Sequence, residues 1–428
     1  MKVVIMAGGK GTRIASVASD IPKPMIKINN KPVLEHEIEC LKEQGFKDII
    51  ITVSYLGNII MNYFGNGSNF GVNIEYFFEE TPLGTAGALF KLKDKLTDDF
   101  LLLNADAIFD IDFNRFVDYH KKNKGLVTLF THPNSHPYDS GLILANNNVV
   151  EKWLTKEDER PKYYQNRVNA GLHVISPKVL EQNIDTPKID LDRQILRPLA
   201  GTGKMFVYDS PEYVKDMGTP ERYYQVEKDF KDGIVKNKNL HNKQKAFFLD
   251  RDGTINKHIG FLNKIDDFEL IEGVEEAIKK INEAGYLAIV ITNQPVIARG
   301  ELTIEKLKEM HNKMETLLGY EGAYLDAIYY CPHHPDKGFE GEIPELKFDC
   351  DCRKPKAGML LQAAKDYNID LSKSWMIGDS KCDVIAGQNA GCYTALIDNS
   401  NTNSHNADII GNDLKDIIYK ILNKAKGE

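Results

Sequence analysis

Short apolar runs alternate with stretches of helical period along most of the chain. Val3–Met6, Asp48–Val53, Asn73–Phe77, Phe100–Leu103 and Val127–Phe130 have the length and β-branched or aromatic content of buried strands. Val33–Gln44 and Thr85–Leu92 read as helices between them. Such alternation predicts a mostly parallel sheet covered on both faces. After a Lys- and Asn-rich stretch with little to bury, Lys231–Lys245, the pattern starts again. Ala246–Leu249, Tyr286–Ile291 and a run ending at Met376-Ile377 are further strands. The expectation is therefore an α/β chain of two doubly wound, mostly parallel-sheet domains, 1–234 and 245–428, joined by a flexible linker at 235–244. No tandem repeat or long low-complexity tract interrupts either half.

Length agrees with this division, since 428 residues exceed one ordinary hydrophobic core. A net charge of -8 argues against a nucleic-acid partner held by a basic surface. The opening MKVVIMAGGKGTR is a strand running into a glycine turn rather than a signal peptide. No apolar stretch is long enough to span a bilayer. Six cysteines in so long a chain do not form a disulfide framework, and a reducing cytoplasm is expected.

The first strand empties into Gly8-Gly9-Lys10-Gly11-Thr12-Arg13. Glycines let backbone N–H groups approach a phosphate, and Arg13 adds a bidentate cation. This is neither G-x-G-x-x-G nor the P-loop, and such a turn alone is only a turn about half the time. Pro22-Lys23-Pro24 follows, a lysine between two residues of fixed backbone. By itself that is a rigid loop with a solvated lysine.

Taken together, AGGKGTR, IPKPM, TPLGTAGAL and NADAIFD resemble, in order and spacing, the sugar-phosphate nucleotidylyltransferases, over most of the first 230 residues. That resemblance implies a Rossmann-like fold and specific roles. Gly8, Gly9, Gly11, Thr12 and Arg13 would wrap the triphosphate of an NTP, and Lys23 would steady its α-phosphate. Leu83, Gly84, Thr85 and Gly87 would line the base and ribose pocket. Asp106 and Asp216 would hold Mg2+, and Asn169 and Gly171 would meet the sugar. The family's Glu-Lys-Pro segment, which supplies a sugar-phosphate lysine, is not clean here: Glu151-Lys152-Trp153 and Lys156-Glu157-Asp158 are both candidates, with Lys152 the one named. Ala105 stands where the family usually has Gly. The run Asp190-Leu191-Asp192-Arg193 could face solvent or the sugar, and solvent or helix capping is favoured. The chemistry is attack of a sugar 1-phosphate oxygen on the α-phosphorus, which needs positioning and charge neutralisation above all.

The second half opens on KAFFLDRDGTIN, which places Asp250 at the C-terminal end of a strand, where ligands sit in open α/β sheets. Thr292-Asn293-Gln294, Cys352-Arg353-Lys354-Pro355 and Gly378-Asp379-Ser380-Lys381-Cys382-Asp383 follow. This ordered set resembles the haloacid dehalogenase-like phosphatases. The resemblance makes Asp250 the nucleophile and Asp252 the general acid and base. Thr292, Asn293 and Lys354 would bind the phosphoryl group, with Arg353 beside them. Mg2+ would be held by Asp250, Asp379 and the Asp252 backbone, with Asp383 an outer-sphere partner.

Cys331, His333, Cys350 and Cys352 form C-x-H…C-x-C, a donor set suited to a closed tetrahedral Zn2+ site. This zinc loop, with ITNQPVIARG and CRKPKAGM, resembles the D-glycero-D-manno-heptose 1,7-bisphosphate 7-phosphatases and the related histidinol-phosphate phosphatases. Pro295-Val296 stands where a Ser-Gly pair is common in that family. Arg299 is a further candidate for gripping substrate.

A sugar 1,7-bisphosphate would serve both halves. The expectation is a bifunctional enzyme that removes the 7-phosphate and then transfers a nucleotidyl group, by resemblance from GTP, to heptose 1-phosphate. An upstream heptose phosphate kinase and isomerase would supply it. Two alternatives stand beside this reading: a histidinol-phosphate-type phosphatase fused to a transferase for another sugar, and a non-catalytic sugar-nucleotide sensor.

Overall fold

The structure is a computed structural model and describes residues 1–8, 21–182, 184, 186, 188–398 and 405–427. The chain divides into two compact units. The first comprises Met1–His132, Gly141–Thr155 and Arg167–His241; the second comprises Asn242–Glu428 together with Pro133–Ser140 and Lys156–Asn166. Within the second unit, Thr316 ties one of these short segments down, accepting the Tyr164 N–H at 2.9 Å and donating to the Tyr164 carbonyl at 3.1 Å.

The main strands of the first unit are β1 (Val3–Met6), β2 (Asp48–Val53), β3 (Asn73–Phe78), β4 (Phe100–Asn104), β5 (Ala107–Asp110), β6 (Val127–His132), β7 (Leu142–Asn146), β8 (Val149–Leu154), β9 (Val168–Ile175), β10 (Met205–Asp209) and β11 (Tyr213–Asp216). Nine of them form one sheet in the order β3-β2-β1-β4-β9-β6-β10-β8-β7, while β5 and β11 pair separately. The β3-β2-β1-β4 half is parallel and doubly wound. Beyond it β9 runs antiparallel to both neighbours, and β7-β8 is an antiparallel hairpin. The inner strands β1 and β4 are buried on both faces, which is why they read as unbroken apolar runs. Helix Val33–Glu43 matches its expected extent. The helix expected over Thr85–Leu92 is shorter, Gly87–Lys91, because the backbone before it is paired elsewhere: Gly84 bridges to Ile189 and the Ala86 N–H donates to the Ile189 carbonyl at 2.9 Å.

In the second unit, β12 (Ala246–Leu249), β13 (Leu287–Asn293), β14 (Ala327–Cys331), β15 (Trp375–Gly378), β16 (Tyr393–Ile397) and β17 (Ile409–Gly411) make a wholly parallel sheet in the order β14-β13-β12-β15-β16-β17. Helix Val274–Glu283 covers one face with Val274, Ala277, Ile278 and Ile281, spaced for a single helical stripe. Among the described residues no helix is long and apolar enough to cross a membrane, and the six cysteines are free thiols.

The segment read as a flexible linker is packed instead. Ile234–Asn237 is helical, and Val235 and Leu240 are buried. Glu212 Oε1 accepts the N–H groups of Asp112 at 2.7 Å and Leu240 at 2.8 Å, and Oε2 accepts the Ser210 hydroxyl at 2.9 Å. Polar composition hid this, because the anchoring apolar side chains are few and the rest is backbone hydrogen bonding.

Burial pushes the Glu212 carboxyl up to about 7. A carboxyl raised in the folded state binds its proton more tightly there than in the unfolded chain. Its contribution is therefore fully present below the unfolded value near 4.5 and is lost as pH rises through about 7, a difference of up to roughly 3 kcal/mol. We expect Glu212→Gln to melt at a higher temperature than wild type near pH 8, with the advantage gone near pH 4. Calorimetry across that range checks it; a constant offset at every pH would contradict it.

Candidate active sites

In the first unit the candidates gather beyond the C-terminal end of β4. Lys23 lies in a 3-10 turn, Lys23–Met25, with Pro22 and Pro24 on either side. Its Nζ lies 2.7 Å from Asp106 Oδ2, in the turn between β4 and β5. The Ala105 methyl is buried behind that turn. β11 brings Asp216 alongside by pairing it with Ala107, and the Met217 N–H donates to the Asp106 carbonyl at 3.3 Å. Asp216 also receives Arg222 Nη1 at 2.7 and 2.8 Å and the Gly218 N–H at 2.8 Å. Burial would raise its carboxyl, but Arg222 outweighs that and holds it below the usual range.

Of the glycine-rich turn, Gly8 accepts the Ser54 hydroxyl at 2.6 Å through its carbonyl. Gly9, Gly11, Thr12 and Arg13 lie outside the described residues. Leu83 donates its N–H to Glu79 Oε2 at 3.2 Å, Gly84 bridges to Ile189, and Gly87 opens its helix. Asp190 caps the next turn, accepting the Arg193 N–H at 2.8 Å. Asn169 and Gly171 lie in β9 where its register with β6 is irregular. Lys152 is exposed on β8.

In the second unit the candidates converge on one ammonium. Lys354 Nζ, buried, donates to Asp250 Oδ1 and Asp383 Oδ1, each at 2.6 Å, and to the Ile291 carbonyl at 2.8 Å. Burial would lower the lysine pKa, but Asp250 and Asp383 outweigh it and raise it. Burial and Asp383 together push the Asp250 carboxyl up to about 7 against the pull of Lys354. Asn293 holds the lysine from behind: its Oδ1 accepts the Lys354 N–H at 3.0 Å and its Nδ2 donates to the Lys354 carbonyl at 3.1 Å. Both ends of that carboxamide are thus engaged with backbone, so the side chain expected to bind phosphate acts here as a brace. Thr292 Oγ1 accepts Gln294 Nε2 at 2.8 Å, and Arg353 donates to the His333 carbonyl at 3.2 Å.

Carboxylate oxygens of Asp250, Asp379 and Asp383 lie within 4.8 Å of one another, a fit for a divalent cation. Asp383 Oδ2 already accepts the Ser380 N–H at 3.1 Å and hydroxyl at 2.6 Å, in a capping box, which leaves it poorly placed as a direct ligand. Gly253 makes room for the cluster, because at its φ of +88° a Cβ would lie 1.9 Å from Asp379 Oδ2.

Cys331, His333, Cys350 and Cys352 also converge. Their sulfurs lie 3.1 to 3.4 Å apart, and His333 Nδ1 is 3.3 Å from Cys352 Sγ. Three thiols and an imidazole this close fit one tetrahedral soft-ligand ion.

Several residues escaped the sequence reading. Arg251, fully buried, reaches Asp252 at 2.8 and 3.0 Å, Gln294 Oε1 at 3.1 Å and His311 Nε2 at 3.4 Å. Burial would raise the Asp252 carboxyl, but Arg251, with Asn256 and Gln294, holds it below the usual range. His258 lies 3.6 Å from Asp379. Glu37 is buried with neither oxygen paired among the described residues, and burial and Asp106 push its carboxyl well up. Its place on the apolar stripe with Leu34, Ile38 and Leu41 was the available signal.

The folds and sites define two phosphate-handling α/β units on one chain. A nucleotidyl transferase family profile matches residues 2–233, and a HAD-hydrolase-like profile matches residues 351–417. The chain is 42% identical over 181 residues to the D-glycero-beta-D-manno-heptose-1,7-bisphosphate 7-phosphatase of Haemophilus ducreyi, which covers 41% of this chain and 97% of that protein. It is 44% identical over 151 residues to the D-glycero-alpha-D-manno-heptose-1,7-bisphosphate 7-phosphatase of Photorhabdus laumondii, 35% of this chain and 80% of that protein. It is 31% identical over 231 residues to the probable mannose-1-phosphate guanylyltransferase 2 of Oryza sativa, covering 52% of this chain but only 63% of the rice protein. The chain belongs to the nucleotidyl transferase family, fused to a phosphatase of the heptose-1,7-bisphosphate 7-phosphatase family.

Gly253→Ala should therefore cut phosphate release at least about 100-fold while leaving nucleotidyl transfer intact, since the added Cβ must displace Asp379 from the cation-ligand cluster and a misplacement near 1 Å in such a site has that effect. Parallel assays of phosphate and pyrophosphate release check it.

Proposed function

We propose that the chain performs two consecutive steps: hydrolysis of the 7-phosphate of D-glycero-D-manno-heptose 1,7-bisphosphate, then transfer of GMP from GTP to the resulting heptose 1-phosphate. What carries this reading is the presence on one chain of the Lys354-braced nucleophile Asp250 and the Lys23–Asp106 pair, each in a unit whose relatives act on sugar phosphates.

In the phosphatase, Asp250 attacks phosphorus and the bond to the C7 oxygen breaks, giving an aspartyl-phosphate. Asp252 protonates the leaving oxygen, then takes a proton from the water that attacks the phosphoenzyme. Arg251 stabilises the Asp252 carboxylate left when that proton has gone to the leaving oxygen, and the proton taken from the attacking water restores the acid for the next turnover. Lys354 offsets charge on Asp250 and the phosphoryl oxygens, with Thr292 beside it and Arg353 toward the sugar. Mg2+ held by Asp250, Asp379 and the Asp252 backbone would supply the remaining neutralisation. Zn2+ in the Cys331, His333, Cys350 and Cys352 cluster would be structural, because all four positions come from protein.

In the transferase, Lys23 and Arg13 neutralise the triphosphate while Gly8, Gly9, Gly11 and Thr12 wrap it and Leu83, Gly84, Thr85 and Gly87 line the nucleoside pocket. Asp106 and Asp216 would hold Mg2+, for which Arg222 must release Asp216. Asn169, Gly171 and Lys152 face the sugar phosphate. A kinase and an isomerase acting on heptose phosphates would supply the substrate, in the cytoplasm. Relatives named for both anomers are matched, so either anomer of the bisphosphate is a fair test substrate.

Asp250→Asn should lower phosphate release at least about a thousandfold yet leave transfer to supplied heptose 1-phosphate unchanged, and Asp106→Asn should do the reverse. Either substitution silencing both activities in a folded protein contradicts the two-site reading. A clear preference for histidinol phosphate over heptose bisphosphate, or for an NTP other than GTP, overturns the substrate assignment. Elemental analysis should find about one zinc per chain, lost together with thermal stability in Cys350→Ser; zinc-free protein of wild-type stability would contradict the structural metal.

A further inference from the structure

Between Asn169 and His173, β9 advances four residues while β6 advances two, from Thr131 to Leu129. The surplus forms a bulge centred on Gly171, whose φ is +77°. The bulge presses on the catalytic turn, because a Cβ at Gly171 would lie 2.5 Å from Asn104 Nδ2, two residues before Asp106. Across it, Asn169 Oδ1 faces the Gly171 N–H at 3.2 Å and His173 Nε2 at 3.2 Å.

These contacts leave one assignment of protons. A backbone N–H can only donate, so the Asn169 atom facing Gly171 is the oxygen. His173 must then carry its proton on Nε2 and donate to the same oxygen. The imidazole is buried, and burial pushes its pKa down to about 3, so it is neutral with a single N–H. Its Nδ1 has no partner among the described residues. An apolar side chain would fill that place without leaving a buried nitrogen unpaired, which ordinarily costs about 1–3 kcal/mol. The polar work of His173 is thus confined to the Asn169 carboxamide. With both lone pairs of Oδ1 occupied, Asn169 has only its NH2 group to offer, and that nitrogen has no partner among the described residues.

We infer that His173 is a positioning residue of the sugar-phosphate site, locking the Asn169 carboxamide so that it presents its NH2 as a donor to an acceptor oxygen of the sugar 1-phosphate. This rests on the reading of Asn169 as a sugar contact made above. No bond forms or breaks at His173, so its effect falls on binding of one substrate. Without the imidazole, Asn169 Oδ1 keeps only the Gly171 N–H at 3.2 Å, so one hydrogen bond holds the amide instead of two and its NH2 is presented to the substrate a smaller part of the time.

The test is steady-state kinetics of pyrophosphate release with GTP, using heptose 1-phosphate and, separately, mannose 1-phosphate. His173→Leu should raise KM for the sugar phosphate about tenfold, with KM for GTP unchanged and kcat within about twofold. His173→Gln, whose amide nitrogen can stand near Nε2, should recover most of that loss. In the Asn169→Ala background His173→Leu should add nothing. A wild-type sugar-phosphate KM in His173→Leu, or a further rise in the double variant, overturns the inference while leaving the sugar site standing. A wild-type KM in Asn169→Ala overturns the sugar-site reading itself, and the inference with it. Phosphate release from heptose bisphosphate serves as the folding control. Should His173→Leu not fold, Asn169→Asp decides, because it keeps an acceptor for both N–H groups and replaces the donor with oxygen. A wild-type KM there overturns the inference, and a rise of at least about tenfold supports it.

Discussion

One buried ammonium sets the geometry of the phosphatase half. Asp250 follows strand β12 and Asp383 lies in the first turn of helix Lys381–Ala390, and with their oxygens under 5 Å apart they would repel strongly out of water. Lys354 is placed between them, 2.6 Å from each. Its backbone is clamped at both ends by the Asn293 carboxamide, so the cation cannot drift without breaking two further hydrogen bonds. Loss of such a cation leaves two uncompensated buried carboxylates, which costs more than the pair ever contributed. Asp379, Gly253 and the capped start of helix Lys381–Ala390 are arranged around that point.

The transferase half solves the same problem differently. Its Lys23–Asp106 pair is half open to water, with the Asp106 side chain 43% exposed, so the attraction is screened and cannot organise the site. Backbone does that work instead: Pro22 and Pro24 restrict the lysine, and the β5–β11 pairing sets Asp106 beside Asp216. In both halves candidate site residues, Asp106 and Asp250, stand at the C-terminal ends of sheet strands, as expected of open α/β folds. One half relies on a desolvated charge network, the other on a rigid scaffold around a wet one.

Much of this was legible in the residues. Parallel strands buried on both faces are continuous apolar runs, so β1, β2, β4, β12 and β13 announced themselves. The edge strand β3 and β6 were legible too, but the remaining antiparallel elements were not. β7, β8 and β9 alternate or carry polar residues such as Asn169 and His173, and their pairing is decided by distant strands. The segment 235–244 was misread for a related reason, since backbone bonds to Glu212 hold it and leave no mark in composition.

By itself, then, the sequence determined two α/β units, their order, and the candidate groups for handling phosphate, because strand ends and short motifs are local properties. Only the tertiary structure decided how those groups are employed. It turned Asn293 into a brace for Lys354, put Arg251 against Asp252, and left Glu37 buried and unpaired among the described residues behind Asp106. It also faced His173 toward Asn169 across a bulge no periodicity foretold. The reason is physical: residue types limit what a side chain can donate or accept, but burial, charge and the neighbour three strands away choose among those capacities.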